Sequence, residues 1–404
     1  MTLSQTPPRS EADWLAVRRR MLLDDGLVYL NTGSYGIVAR EVFDRVTELR
    51  RQMQSNPVDF LWRRGGELLR RARECLAEEI GCEPSQVIFT DNVTTAMNLV
   101  AASLRVKGPG EILLSDHEYP AVRFAWERAA QQQGLRLRYV RLPELPGSSE
   151  EIVAVFARHL CPATRILFFS HVLYTTGMIL PAWELCQLAR QNGVVSVIDG
   201  AHAPGMLDLD VTRIGCDFYG ANLHKWLLAP VGAGFLYVRP GMEDRILPLT
   251  VSWGWYYDRA KAFQWNQFGG SPWQRSFEFA GSRDVTPWLV VPEAVGFLHK
   301  LGWQNIQARQ RELAAEARSR LDGRRGLRLA TPTTAGLSGA ITAFRLPGTA
   351  TDPQAVRSAL WERFRIEINM IEHAAGPWLR VSTHFYNSRH DLDMLAQAVD
   401  AVLA

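Results

Sequence analysis

Short apolar runs alternate with amphipathic stretches between about residues 65 and 240. Runs rich in β-branched and aromatic residues occupy positions 87–90, 112–115, 135–140, 166–169, 194–198 and 235–238. Stretches with helical periodicity lie between them, at positions 96–104, 121–133 and 183–191. Strands that alternate with helices of this length indicate βαβ units and a mostly parallel sheet that is covered on both faces. Ligands of such sheets bind at the carboxyl ends of the strands, so functional residues are expected in the loops that follow them.

The two ends of the chain follow a different pattern. The first 25 or so residues are polar and then amphipathic, and a strand-like run at 27–30 leads into a turn-forming loop at 31–36. A Trp- and Gly-rich stretch at 251–284 ends the alternation, and a long helical region at 288–322 follows it. The remaining residues predict a smaller α+β unit, with strands at 340–346 and 379–382, a helix at 353–364 and a closing helix from Asp391.

The length of 404 residues suits two or three domains rather than one core. We predict an N-terminal arm over 1–30 that packs on the small domain, a large ligand-binding domain over 31–290, and a small C-terminal domain over 291–404.

Composition narrows the possible partners and locations. Hydrophobic residues make up 47% of the chain and charged residues 22%, as in an ordinary globular protein. The net charge is only +3, and arginine runs such as 18–20 lie in helical patterns, which favours solvated faces over nucleic-acid binding. Five cysteines without paired spacing, no signal peptide and no bilayer-spanning apolar run predict a cytoplasmic protein without a membrane partner.

The most informative residues lie at the end of one apolar run and ahead of the next. Asp199 ends a predicted buried strand and His202 comes three residues later. Asn222, His224 and Lys225 lie 23, 25 and 26 residues beyond Asp199. Pyridoxal phosphate (PLP) chemistry needs this set, because its aldehyde is stored on a lysine amine as a Schiff base and its pyridine nitrogen stays protonated beside a carboxylate. Lys225 is therefore the predicted anchor of PLP and Asp199 the partner of its ring nitrogen, with His202 near Asp199 or the ring oxygen.

Residues 91–96 leave a predicted strand and open a predicted helix. Free N–H groups, the positive end of the helix dipole and the hydroxyls of Thr94 and Thr95 make this turn a candidate phosphate site. The alternative is a simple helix cap.

Residues 116–119 also follow a strand, and an aromatic ring there would stack on the pyridine ring. His117 is the first candidate and Tyr119 the second, and the alternative is a charged helix start. Asp199, His202 and His224 are not expected to bind a metal, because the two histidines lie 22 residues apart and Lys225 adds a positive charge beside one of them.

Together these motifs resemble the class V aminotransferase family of fold-type I PLP enzymes, and most of all its isopenicillin N epimerase-like branch. The resemblance covers most of the chain and rests on residues 30–36, 56–58, 92–95, 116–119, 199–205, 222–227, 281–284, 379–382 and 386–387. It implies a fold-type I architecture, in which a mostly parallel seven-stranded sheet forms the large domain and a smaller α+β domain ends the chain.

The resemblance also implies roles for individual residues. Thr94, Thr95, Asn222 and His224 would surround the phosphate. Ser282 would reach the phosphate of a neighbouring subunit, which implies a homodimer with shared active sites. Arg380 would bind the α-carboxylate of an amino-acid-like substrate, since a planar guanidinium suits a bidentate contact. Further candidates for substrate contact are Tyr35 and Tyr119.

Members of the family perform several reactions, most of which begin with loss of the Cα proton, here to Lys225. We expect an epimerase acting on an amino acid or a peptide-like substrate. A C–S β-lyase is the first alternative and a transaminase the second. A cysteine desulfurase is less expected, because residues 350–379 lack the nucleophilic cysteine of that group.

Two features depart from the family pattern or extend it. Residues 173–177 lack the asparagine that often contacts the ring oxygen, so Tyr174 and Thr175 are the candidates for that contact. An epimerase also needs a second acid/base on the opposite face of the substrate, and Tyr119, Tyr174 and His117 are the candidates.

A dense aromatic stretch offers two interpretations. Six tryptophans and tyrosines lie within 21 positions: Trp253, Trp255, Tyr256, Tyr257, Trp265 and Trp273. They are expected either to line a roomy substrate pocket at a dimer seam or to pack a subunit interface.

Overall fold

The computed structural model describes residues 8, 10–106, 108–255, 269–348, 352–373 and 376–403. The strands of the described chain are, in order, β1 (Val28–Tyr29), β2 (Val87–Thr90), β3 (Gly110–Ser115), β4 (Leu135–Val140), β5 (Thr164–Ser170), β6 (Val195–Asp199), β7 (Phe218–Asn222), β8 (Gly234–Val238), β9 (Arg328–Leu329), β10 (Ile341–Arg345), β11 (Ile366–Glu367), β12 (Asn369–Ile371) and β13 (Trp378–Ser382).

One seven-stranded sheet forms the centre of the fold. Its strand order is β2-β8-β7-β6-β5-β3-β4. The β7–β6–β5–β3–β4 pairs are parallel, and β8 runs antiparallel to both of its neighbours. The carboxyl ends of β2, β3, β5, β6 and β7 therefore meet at one edge of the sheet. The predicted fold class, a mostly parallel α/β sheet of seven strands, is confirmed.

Helices cover both faces of this sheet, as the long apolar strands require. The helices of the described chain are α1 (Glu11–Arg18), α2 (Arg40–Ser55), α3 (Pro57–Asp59), α4 (Gly65–Ile80), α5 (Val93–Ser103), α6 (Pro120–Gln133), α7 (Ser149–His159), α8 (Ala182–Gln191), α9 (Val211–Ile214), α10 (Pro272–Glu278), α11 (Thr286–Leu289), α12 (Val291–Leu301), α13 (Trp303–Leu321), α14 (Pro353–Phe364) and α15 (Arg389–Val402). A π-helical turn at Phe60–Arg64 leads into α4. Helices α5 and α6 pack on one face of the sheet, and α2, α4, α7, α8 and α12 pack in the core on the other.

The structure differs from the sequence prediction at two elements. Strand β7 was missed, because Gly220 and Ala221 interrupt its apolar pattern. Gly220 is required where α5 crosses the strand, since an added Cβ would lie 2.5 Å from the Met97 side chain. The single helical region expected at 288–322 is two helices, α12 and α13, separated at Gly302, whose φ of 81° does not continue a helix.

The C-terminal part forms a separate four-stranded antiparallel sheet of order β12-β13-β10-β9. Strand β1, from the beginning of the chain, pairs in parallel with β11. The preceding helix α1 contacts both parts of the chain, because Trp14 lies in the large core and Arg18 forms an ion pair with Asp391 of α15. The division into an arm and two domains at 30 and 290 stays a prediction.

Within the described residues, no helix combines the length and apolarity that a membrane crossing needs. All five cysteines are free thiols.

Candidate active site

A cavity of about 620 Å³ opens at the carboxyl edge of the large sheet. It is reached by the ends of β5, β6 and β7, by the start of α5, and by Asn369 and Arg380 of the C-terminal sheet. Its walls contain most of the residues that the sequence singled out: Tyr35, Thr94, Thr95, Tyr119, Tyr174, Asp199, His202, Asn222, His224, Lys225 and Arg380. The topology thus brings together side chains that lie up to about 350 positions apart in the chain.

Lys225 follows β7 and faces this cavity. Burial lowers the pKa of its ammonium to about 8, the charge of Asp199 opposes this shift and the charge of Arg380 adds to it. The main chain beside it is tightly packed, because an added Cβ on Gly36 would lie 2.0 Å from the Lys225 carbonyl oxygen. The site therefore holds a lysine amine that is partly neutral near pH 7.5, which nucleophilic attack on an aldehyde requires.

Asp199 is buried at the end of β6. Burial raises the pKa of its carboxyl to about 6, while the Ala201 N–H and the charge of Lys225 oppose the shift. Oδ1 accepts a hydrogen bond from the Ala201 N–H at 2.9 Å. The carboxyl group is thus mostly ionised at neutral pH, with one oxygen held by the backbone.

The side chain of His202 is buried and its protonation is defined by a neighbour. The Trp226 Nε1–H donates to His202 Nδ1 at 3.1 Å, so Nδ1 carries no proton. Burial, with the nearby charge of Lys225, lowers the pKa of His202 well below its usual value. The neutral ring therefore carries its proton on Nε2 and presents a donor.

The start of α5 has the features of an anion site, but two of its N–H groups are already bonded. The Asn92 side chain caps the Thr95 N–H at 2.9 Å, and Asn222 Oδ1 accepts from the Val93 N–H at 2.9 Å. Within the described residues the Thr94 N–H has no hydrogen-bond partner, and the buried His224 Nδ1 has none either. Thr94 and His224 thus offer the unsatisfied polar atoms that a phosphate would bind, whereas Asn222 acts by holding the helix start.

Arg380 lies on β13 and is buried. Its Nη1 donates to the Tyr174 carbonyl oxygen at 2.9 Å, and its Nη2 donates to Asn31 Oδ1 at 3.2 Å and Ser34 Oγ at 3.1 Å. Its Nε is buried without a partner among the described residues. Burial lowers the pKa of the guanidinium to about 10, so it remains a cation that is positioned to bind an anion.

The two candidates for the stacking ring occupy different environments. Tyr119 lines the cavity and contacts Tyr174 edge to face, with ring centroids 5.3 Å apart. His117 is not among the lining residues. It bonds to Thr175 through Nδ1 at 2.8 Å and stacks on His373 and Trp378. Of the two candidates, Tyr119 is therefore the ring that lines the cavity.

Sequence reasoning did not predict the buried position of Glu118. Its carboxyl group accepts hydrogen bonds from Ser115 and Ser170, and Ser170 is the strand partner of Asp199. Burial raises the pKa of Glu118 to about 7. A polar residue between the two candidate rings carried no signal in the sequence, because only the fold turns it towards Ser170.

Two other predicted residues, Ser282 and Tyr35, differ in their position relative to the cavity. Ser282 is exposed and does not line the cavity, although its neighbour Arg283 forms an ion pair with Asp91 at the cavity wall. Tyr35 lines the cavity and stacks on His224, with centroids 5.6 Å apart.

The described residues include only part of the aromatic stretch. Tyr256, Tyr257 and Trp265 lie outside the described residues, and Trp253, Trp255 and Trp273 are not among the residues that line the cavity.

Asp116, His117 and His373 bring potential metal-ligand atoms within 4.8 Å of one another. The two imidazole rings are stacked at an interplanar angle of 25°, with centroids 4.6 Å apart. An ion binds an imidazole nitrogen in the plane of its ring, and two stacked rings do not share such a point at bonding distance. The cluster is therefore interpreted as ring packing.

Comparison with known proteins agrees with this site. The model of the Aminotransferase class-V family matches residues 28–395. This chain belongs to the class V aminotransferase family. As the motifs predicted, it is a PLP-dependent enzyme, and its fold is that of the fold-type I members.

Within the class V family, two relatives are similar over nearly the whole chain. An isopenicillin N epimerase of Streptomyces clavuligerus is 49% identical over 393 residues, covering 97% of this chain and 98% of the relative. An isopenicillin N epimerase of Amycolatopsis lactamdurans is 47% identical over 390 residues, covering 96% and 98%. The predicted similarity to the epimerase branch is confirmed.

A solved structure shares the fold at lower identity. A C-DES mutant with glycine covalently linked to its PLP cofactor superposes with a TM-score of 0.82 and 24% identity, over 93% of this chain and 97% of that one.

Proposed function

We propose that this enzyme epimerises isopenicillin N at the carbon that carries the free amino group, with PLP held on Lys225. The observation that carries the proposal is the 49% identity to an isopenicillin N epimerase over 97% of the chain. The cavity supports it, because a partly neutral lysine, an ionised aspartate and a buried arginine converge there.

The residues present fit PLP. Asp199 would pair with the ring nitrogen, the His202 Nε2–H would donate to the ring oxygen, and Tyr119 would cover the ring. Thr94, Thr95 and His224 would bind the phosphate, with Asn222 bracing the helix start. When bound, PLP withdraws electrons from the substrate's α-carbon and makes its proton acidic.

The remaining chemistry belongs to the side chains of this chain. Arg380 binds the carboxylate next to the reacting carbon and so fixes the direction of the C–H bond. Lys225 then accepts the α-proton, because its amine is neutral in a useful fraction of molecules near neutral pH. Together these side chains account for reversible removal of the α-proton.

A homodimer is part of this proposal. Exposed apolar side chains lie at the cavity and along the segment that runs into the beginning of the aromatic stretch. They are Val231, Leu247, Leu249, Val251 and Trp253, and Val231 itself lines the cavity. Exposed apolar groups of this number favour a subunit contact, and Ser282 would then reach a neighbouring site. Sedimentation velocity at micromolar concentration tests the dimer. The cytoplasmic location predicted from the cysteines is retained in the proposal.

The direct test of function uses isopenicillin N and the purified PLP-loaded protein. Chiral chromatography should show inversion at the amine-bearing carbon, and in D₂O the inverted product should gain one deuterium. L-Cystine is the comparison substrate for the lyase alternative. Pyruvate from L-cystine, together with no inversion of isopenicillin N, would reject the epimerase in favour of C–S cleavage.

A further inference from the structure

Epimerisation requires a second group, because Lys225 can return a proton only to the face from which it took it. The following inference rests on the proposed epimerase activity and deepens it. The second group has to approach the reacting carbon from the side opposite Lys225, within about 3–3.5 Å.

Strand order places the segments that carry Lys225 and Tyr174 on opposite flanks of Asp199. Asp199 ends β6, Lys225 follows β7 and the loop with Tyr174 follows β5, and β5 and β7 are the two neighbours of β6. Adjacent strands lie about 4.8 Å apart, so β5 and β7 are separated by about 10 Å. The two flanks thus leave room for a reacting carbon between two proton-transfer groups, which needs roughly 7 Å.

We propose that Tyr174 is the second catalytic acid/base, which exchanges a proton with the substrate's α-carbon on the face opposite Lys225. Tyr174 lines the cavity, and its peptide oxygen accepts the hydrogen bond from Arg380 Nη1 at 2.9 Å. The residue that binds the carboxylate therefore also positions Tyr174. The α-carbon is one bond from that carboxylate, which brings it close to this part of the wall.

The loop that carries Tyr174 is held on both sides. The Thr175 hydroxyl bonds to His117 Nδ1 at 2.8 Å, and the Thr331 hydroxyl donates to the Thr176 carbonyl oxygen. The Gly177 N–H donates to the Leu173 carbonyl oxygen at 2.9 Å and closes a tight turn. This environment explains where His117 lies, since it supports the loop instead of facing the cavity. A loop held at three consecutive residues keeps a side chain in place for reaction.

The protonation states suit this division of work. Burial raises the pKa of the Tyr174 phenol, while the charges of Arg380 and Arg123 oppose the shift. Tyr174 is therefore a proton donor at neutral pH, and the same two cations stabilise the phenolate that remains after donation. Among the described residues its hydroxyl has no hydrogen-bond partner, so the proton is available to a substrate.

The proton inventory balances without an oxidant or a reductant. The α C–H bond breaks and its proton goes to Lys225 Nζ, while the electron pair stays with the substrate. The Tyr174 O–H bond breaks, and its proton forms the new C–H bond on the opposite face. Lys225 ends protonated and Tyr174 ends as a phenolate, and exchange with solvent restores both. The reverse reaction uses the same two groups in the opposite roles.

Tyr119 is the competing phenol, and its surroundings differ. Its side chain is 44% exposed, and it meets Tyr174 edge to face instead of sharing the contact with Arg380. Its position suits a ring that covers the cofactor, whereas Tyr174 lies beside the carboxylate site.

The test compares Tyr174→Phe with the wild-type holoenzyme, using isopenicillin N in D₂O. We expect at least a ~100-fold slower inversion in the variant, as for loss of a general acid. Exchange of the α-hydrogen for deuterium with retained configuration should continue, because Lys225 is unchanged. The substrate dissociation constant, measured by calorimetry, should stay within twofold of the wild-type value. The visible spectrum of bound PLP should not shift.

Tyr139→Phe is the matched control, since Tyr139 is an exposed tyrosine on β4 outside the cavity, and its inversion rate should equal that of wild type. The assignment is overturned if Tyr174→Phe inverts at the wild-type rate, or if Tyr119→Phe is the variant that separates exchange from inversion. Equal loss of exchange and inversion in Tyr174→Phe, with normal binding and spectrum, also overturns it. A wild-type protein without any exchange or inversion instead refutes the proposed function, and this inference falls with it.

Discussion

Asp199 and Lys225 lie at the same cavity, and burial moves their pKa values towards each other, to about 6 and about 8. Each charge moderates the shift of the other, because the carboxylate favours the ammonium and the ammonium favours the carboxylate. Near neutral pH the pair thus provides an ionised acid and an amine that loses its proton easily. A solvated lysine would need a pH above 10 for the same reactivity.

The lowered pKa of Lys225 predicts how fast the PLP-free protein captures PLP. The rate should rise with pH through an apparent pKa of about 8 and then level off, because only the neutral amine attacks the aldehyde. Stopped-flow absorbance between pH 6 and 10 measures this dependence. A rate that still rises steeply above pH 9.5 would show that Lys225 has the pKa of an ordinary lysine, contrary to the structure.

Replacing Asp199 should separate binding of the cofactor from chemistry. Asp199→Asn keeps the shape of the side chain but removes the charge that holds the ring nitrogen protonated. We expect PLP to remain bound, while α-hydrogen exchange in D₂O falls ~1,000-fold, within the range of losses for a group that acts on the reacting electrons. Mass spectrometry of recovered substrate measures the exchange. A variant that exchanges within threefold of wild type would remove Asp199 from the proposed role.

Arg380→Lys tests the carboxylate site. Lysine keeps the charge but has one nitrogen in place of the three nitrogens of the planar guanidinium. KM for isopenicillin N should therefore rise ~10- to 100-fold. PLP affinity should be unchanged, because Arg380 is not assigned to the cofactor. The matched control is Arg345→Lys on the neighbouring strand β10, where the arginine pairs with Glu144 outside the cavity. Equal KM values for the two variants would contradict the assignment.

Thr94→Val tests the phosphate site at the start of α5. Loss of one hydroxyl next to an unsatisfied N–H should weaken PLP binding ~10-fold, the usual effect of one hydrogen bond to a charged group. Equilibrium dialysis against PLP provides the dissociation constant. Thr47→Val, in helix α2 and away from the cavity, controls for the change of residue type. An unchanged constant in Thr94→Val would place the phosphate elsewhere.

The sequence predicted the parts of this fold that depend on local pattern. Asp199 was identifiable because it ends an apolar run, and the strand ends of a parallel sheet meet at one edge. Lys225 was identifiable because it stands with Asn222 and His224 between that run and the next one. Strand β7 was missed because Gly220 and Ala221 interrupt its apolar pattern. Gly220 leaves room for helix α5, which crosses the strand there, and this is a contact between distant residues. The same limit applies to His117 and Tyr119, which lie two positions apart. The local turn, and not the residue type, decides which ring faces the cavity.

Glu118 shows a second limit of sequence reasoning. Its carboxyl group is buried between Ser115 and Ser170, and only the pairing of β5 with β6 brings that group near Asp199. A charged residue in a loop after a strand predicts an exposed cap in the absence of this pairing. Tertiary contacts of this kind become visible only when the sheet order is known.

The central claim is that PLP is attached to Lys225, and borohydride reduction tests it most directly. The sequence contains four lysines, Lys107, Lys225, Lys261 and Lys300, so the other three serve as internal controls. After reduction of the PLP-loaded protein, peptide mass spectrometry should locate the pyridoxyl phosphate group on Lys225 alone, with one group per chain. Labelling of another lysine in place of Lys225, or no labelling in the presence of excess PLP, would contradict the account.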